Sequence, residues 1–158
     1  MEHGDPAFMR AAIRLAIENV ELGRGGPFGA VVVKDGRIIA SGANAVTATN
    51  DPTAHAEVVA IRRACTALGS FQLEGCVVYC SCEPCPMCLG ALYWARPDAV
   101  FFGATKEDAA AIGFDDRFIY AELERPMAER MRPMRQLLRE EALVAFTKWR
   151  DSPLKVPY

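Results

Sequence analysis

Two short segments of the chain carry metal-ligating side chains at spacings that one ion can use. His55-Ala56-Glu57 sets a carboxylate two residues after an imidazole, and Pro84-Cys85-Pro86-Met87-Cys88 sets two thiols three residues apart. Residues i and i+3 share a helix face, so at a helix start the sulfurs of Cys85 and Cys88 reach the same ion. The positive end of that helix favours thiolate over thiol. With His55 as the third ligand, a tetrahedral zinc keeps one position open for water, which is the arrangement of a catalytic site. An ion so held lowers the pKa of its water from about 16 toward about 7. Glu57 is expected beside the ion, where its carboxylate takes the water proton and passes it on.

The same residues admit other uses. A lone C-x-x-C also serves as a redox pair, although Cys85-Pro86-Met87-Cys88 lacks a preceding Trp-Cys. A closed structural site would recruit Cys80 or Cys82 as a fourth ligand. That reading leaves Glu57 without work, and Cys82 precedes the turn that Pro84 begins. On the catalytic reading Cys65, Cys76, Cys80 and Cys82 are ordinary buried thiols.

These segments need elements to hold them. Asp5-Pro6 reads as a cap followed by proline at the first helical position. Phe8, Ala12, Leu15, Ala16 and Val20 then recur at helical spacing, up to a stop at Gly23. Residues 28–34 form a valine-rich strand, Asp35-Gly36 a hairpin turn, and residues 37–40 the returning strand. Residues 44–50 read as a polar loop. Asp51-Pro52 repeats the cap-then-proline signal, predicting a helix over residues 53–68 that ends at Gly69 and carries His55 in its first turn. CVVYC, residues 76–80, is a buried strand. A helix follows from Pro84 to Arg96-Pro97, and then a strand over 99–102. Thr105 and Asp108 suggest a capping box. Residues 113–120 read as loop with a helical turn, 136–138 as an edge strand, and 141–150 as a terminal helix.

A hairpin followed by alternating helices and strands predicts an α/β fold: a three-layer α/β/α sandwich whose mixed central sheet has about five strands, the later ones parallel. The 158 residues suit a single domain over residues 1–158. A net charge of −2 supplies no broad basic field for a phosphate backbone, so a nucleic acid partner is not expected. MEHGDPAF has no basic n-region leading into an apolar stretch, and no apolar run approaches a membrane span. A cytoplasmic protein is therefore expected. In that reducing compartment, clustered cysteines mean metal binding or redox chemistry before disulfides.

Together the two segments match H-x-E followed by P-C-x-x-C, the signature of zinc deaminases that act on nucleobases. The chain resembles the cytidine deaminase-like superfamily, which includes cytosine, guanine and tRNA adenosine deaminases. GGPFGAV at residues 25–31, NDPTAHAE at 50–57, SCEPCPMCLGALYWARP at 81–97 and GFDDRFIY at 113–120 look like its bacterial guanine deaminase branch. The HAE and PC-x-x-C blocks place the superfamily without choosing the base, and the last block discriminates most.

The resemblance implies conversion of guanine, or a related aminated base, to xanthine with loss of ammonia, using one zinc per chain. It implies that Phe28 and Trp94 line or stack on the ring, that Asn44 hydrogen-bonds the base, and that the main chain around Ala54 adds polar contacts. Asp116 would accept hydrogen bonds from ring N–H groups, with Asp115 beside it. The resemblance further implies a homodimer in which the final segment, residues 151–158, exchanges between subunits and Tyr158 reaches the partner's site. Pro153 and Pro157 suit such an extended arm. A frayed tail is the plainer alternative for Tyr158. Trp94 read alone is a core residue, Asn44 a turn residue, and the Asp pair a loop or cap. Glu122 is either a second proton-handling carboxylate or part of a solvated helix face. A tRNA adenosine deaminase or a cytosine deaminase on the same fold, and a noncatalytic zinc module, are the competing functions. The mixed charge of the terminal stretch speaks against the first, and Glu57 against the last.

Overall fold

The structure, a computed structural model, describes residues 4–158. The chain divides into two compact units, Met1–Arg117 and Phe118–Tyr158.

The first unit opens with α1 (Pro6–Glu21), capped by the Asp5 carboxylate, which accepts the Ala7 N–H at 2.7 Å. β1 (Gly29–Lys34) and β2 (Arg37–Ala43) form a hairpin. Asp35 and Gly36 both take positive φ, 49° and 71°, as a tight two-residue turn matched to strand twist requires. After a short helical turn, α2 (Val46–Thr49), come α3 (Ala56–Leu68), β3 (Cys76–Cys82), α4 (Pro86–Ala95), β4 (Ala99–Ala104) and α5 (Lys106–Ala111). The loop expected at 44–50 thus contains α2.

The sheet runs β2-β1-β3-β4, with β1 antiparallel to both neighbours and β3 parallel to β4. β1 and β3 are central and covered on both faces, which is why GAVVVK and CVVYCSC are nearly continuous apolar runs. Ala30, Val32, Val78 and Cys80 face the alanine-lined side of α3 and the Leu92–Ala95 end of α4. Val31, Val33, Val77 and Tyr79 face α1 through Ala12, Phe8 and Leu15. This is the expected three-layer, mixed-sheet sandwich. Val20, expected on the buried stripe of α1, is instead exposed, and Asn19 takes the buried position.

Four strands are found among the described residues, where about five were expected. The difference is residues 136–138, which form no strand. Leu138 adopts φ 52° and caps the helix that starts at Arg139, a left-handed turn that no extended ladder accommodates.

Glycine lets helix backbone sit directly on the sheet. A Cβ at Gly42 would run into the Ala56 carbonyl and approach the Ala60 nitrogen of α3 to 2.7 Å. Gly42→Ala is therefore expected to lift α3, destabilising the fold by about 2 kcal/mol. Because α3 carries His55 and Glu57, activity should fall with it. Thermal denaturation and turnover of the purified variant check both effects.

The second unit contains α6 (Arg117–Glu124, whose first residue belongs to the first unit), a 3-10 turn at Met127–Glu129 and α7 (Arg139–Asp151). None of its residues is buried. No helix among the described residues is long and apolar enough to cross a membrane.

Candidate active site

The helix expected from residue 53 begins instead at Ala56. The Asp51 carboxylate accepts the Thr53 N–H at 2.8 Å and its hydroxyl at 2.7 Å, and the Asp51 carbonyl accepts the Ala54 N–H at 3.0 Å. Asp51-Pro52 therefore closes a turn ahead of the helix. His55 becomes the N-cap of α3. Cys85 likewise becomes the N-cap of α4, with Pro86 as its first residue. Neither side chain caps its own helix, so both are spare.

These two side chains meet. His55 Nδ1 lies 3.5 Å from Cys85 Sγ and 3.5 Å from Cys88 Sγ. Ligand bonds of about 2.3 Å to sulfur and about 2.05 Å to nitrogen, at tetrahedral angles, put such atoms about 3.6 Å apart. The three donors therefore fit a zinc ion with little adjustment. They are the one group of three or more metal-ligating residues found among the described residues. Cys80 lies buried in the core, and Cys82 Sγ is 3.5 Å from the Thr105 carbonyl, so neither joins as a fourth ligand. Glu57, in the first turn of α3, is 8% exposed and stays outside the ligand set.

Backbone rungs tie further candidates to this cluster. The Phe28 carbonyl accepts the Asn44 N–H at 3.0 Å, and the Ala54 carbonyl, next to His55, accepts the Ala45 N–H at 2.9 Å. Phe28 meets Phe114 edge to face, with ring centroids 4.9 Å apart. Phe114 leads directly into Asp115-Asp116. Asn44 is buried, and its Oδ1 accepts N–H groups from Gly26 and Val46, each at 3.3 Å.

The family model for the cytidine and deoxycytidylate deaminase zinc-binding region matches residues 3–104. The chain belongs to this zinc-binding deaminase family. It is 58% identical to the guanine deaminase of Bacillus subtilis over 151 residues, covering 96% of this chain and 97% of that one. The X-ray structure of Bacillus subtilis guanine deaminase superposes with a TM-score of 0.95 at 56% identity, covering 99% of both chains. A tRNA-specific adenosine deaminase of Aquifex aeolicus is 45% identical over 101 residues, covering 64% of this chain and 66% of that one.

The electrostatics suit a deaminase metal centre. A hydrogen bond from Cys88, with His55 nearby, holds the Cys85 thiol at about 4. Cys88 is correspondingly pushed up, first by its bond to Cys85 and then by burial. His55 is raised by its hydrogen bond to Cys85. Burial raises Glu57. Asp116 is raised by partial burial and then by the negative charge of Cys85.

The other candidates are engaged or exposed. Asp115 is engaged by Arg117, whose Nε lies 2.9 Å from Oδ1. Trp94 stands on α4 with 65% of its surface exposed. Glu122 and Tyr158 belong to the second unit. There, Glu122 accepts the Met131 N–H at 2.6 Å and pairs with Arg125 at 3.0 Å, while Tyr158 is exposed. Two further residues, Phe114 and Asn19, neighbour these candidates. Phe114 is an aromatic beside a motif already noted. Asn19 is a polar residue on the Ala12–Ala16 stripe of α1, and that break in the pattern was its only signal.

Proposed function

We infer that the chain deaminates guanine to xanthine and ammonia, with one zinc held by His55, Cys85 and Cys88. The observation that carries the substrate is the match to guanine deaminase over 96% of the chain, against 64% for the tRNA-specific enzyme.

When bound, zinc supplies a water acidified toward neutrality and an electrophilic anchor for the oxygen that adds to the ring. Glu57 takes one proton from that water and gives it to the ring nitrogen beside C2, then carries the second proton of the added oxygen to the amine, which leaves C2 as ammonia. Asn44, its Oδ1 already occupied by two N–H groups, turns its NH2 to the 6-oxo group. Asp116 accepts from ring N–H groups, a strong pairing where water is excluded. Phe28, braced by Phe114, packs on the ring, and Trp94 and the Ala54 main chain complete the walls.

The protein works as a homodimer in which residues 151–158 exchange and Tyr158 closes the partner's pocket. The absence of buried residues in the second unit supports this, since such a unit lacks a core of its own. Six unpaired cysteines suit the reducing cytoplasm.

Ammonia release from guanine, guanosine, cytosine, adenine and tRNA distinguishes the competing activities. Guanine alone should react; activity confined to tRNA or to cytosine would sink the reading. Removal of residues 156–158 should lower kcat/KM, and unchanged kinetics would reject the closing role of Tyr158.

A further inference from the structure

We propose that Asn19 is a specificity-determining positioning residue: it anchors the main chain of Asn44 so that the Asn44 amide reads the 6-oxo edge of a purine. This rests on the guanine reading of the pocket.

Asn19 is 5% exposed and sits where α1 otherwise buries alanine. An amide in such a place persists only if its hydrogens find acceptors. They do: Nδ2 donates to the Gly26 carbonyl at 2.8 Å and to the Asn44 carbonyl at 2.9 Å. One side chain thus pins both sides of the corner where the glycine loop passes the end of β2. The corner is tight. A Cβ on Gly25 would strike the Asn44 carbonyl and lie 3.1 Å from Asn19 Nδ2.

The pinned Gly26 then gives its own N–H to Asn44 Oδ1, with Val46 N–H as the second donor. Among the described residues no acceptor takes the Asn44 Nδ2 hydrogens. The amide is therefore locked in one orientation, with its donor face left for a ligand acceptor. A 6-oxo purine presents an acceptor there; a purine without that oxygen leaves the donors unanswered. Asn19 holds both the residue that reads and the glycine that orients it. Discrimination should therefore depend on a residue that never touches the base.

Calorimetry on zinc-loaded protein tests this with two inert probes, hypoxanthine and purine, of which only the first carries O6 and the N1–H beside it. The native protein should prefer hypoxanthine, and Asn44→Ala should remove the part of the preference that O6 gives, leaving what Asp116 gains from N1–H. Asn19→Leu should reduce the preference by about tenfold, mainly by weakening hypoxanthine. Added to Asn44→Ala, it should do little more, because both changes remove one coupled interaction. If Asn19→Leu does not fold, Asn19→Ser, which retains a single donor, is read in the same way. Equal weakening of both probes, or fully additive losses in the double variant, would show a merely structural role and overturn the proposal. If Asn44→Ala leaves the preference intact, the reading of Asn44 fails and the role of Asn19 falls with it. Turnover of guanine, followed separately, reports on the deaminase reading.

Discussion

Glu57→Gln should retain its full complement of zinc while guanine turnover falls by about 10³-fold or more. The substitution changes the proton chemistry and little else. Glu57 lies in the first turn of α3, two residues from His55, and stays outside the group of three ligands. Glutamine has the same shape and still hydrogen-bonds, so the packing of α3 against β2 and the placing of His55 survive. What it lacks is the ability to accept a proton and give it back. Both transfers that the reaction needs, from the water and to the leaving amine, are lost together. Elemental analysis gives the zinc content and an ammonia assay gives the rate. Near-native turnover in a zinc-loaded Glu57→Gln protein would remove Glu57 from the mechanism.

Cys88→Ala should fail in the opposite order, losing zinc first and turnover as a consequence. Cys88 is fully buried in the first turn of α4, 3.5 Å from His55 Nδ1, so no other side chain can take its place. With two ligands left, zinc binding should weaken by orders of magnitude and turnover should drop to background. In the native protein a strong chelator should abolish activity, and added zinc should restore it. The pH dependence of loading has a definite sign. In the metal-free cluster Cys85 is the acidic thiol and Cys88 is held protonated. Binding must expel the Cys88 proton, so apparent zinc affinity should rise with pH. Competition against a chromophoric chelator at about pH 6 and about pH 8 measures it. A Cys88→Ala protein that keeps stoichiometric zinc and activity would disprove the ligand set.

The same pattern of local success and long-range surprise runs through the fold. Hydrophobic runs located β1, β3 and β4, and the Asp-Gly pair located the hairpin, because each signal lies within a few neighbouring residues. The Thr105–Asp108 capping box forms as its sequence suggests, with reciprocal bonds of 3.3 Å and 2.8 Å. Both helices at the site begin later than their proline signals imply. At Asp51 a turn hydrogen bond to Thr53 outcompetes helix initiation, and a proline cannot by itself tell a cap from a turn. The expected strand at 136–138 was a short apolar stretch without a partner, and strands exist only as pairs.

Residue type and spacing alone determined the chemistry available to this chain: one nitrogen, two sulfurs and one carboxylate that can serve a single zinc. They did so because ligand preference, thiolate chemistry and helix-face geometry are properties of short segments. The family likeness carried the choice of base. Only the tertiary structure decided that His55 and Cys85 are the cap residues themselves, free to face each other across 30 positions of chain. Only it showed that Asn19 grips Asn44 from 25 positions away; in the sequence Asn19 is no more than a polar residue on the apolar stripe of α1. Contacts of that kind arise where the sheet brings distant backbones within hydrogen-bonding distance, and no window of sequence contains both partners.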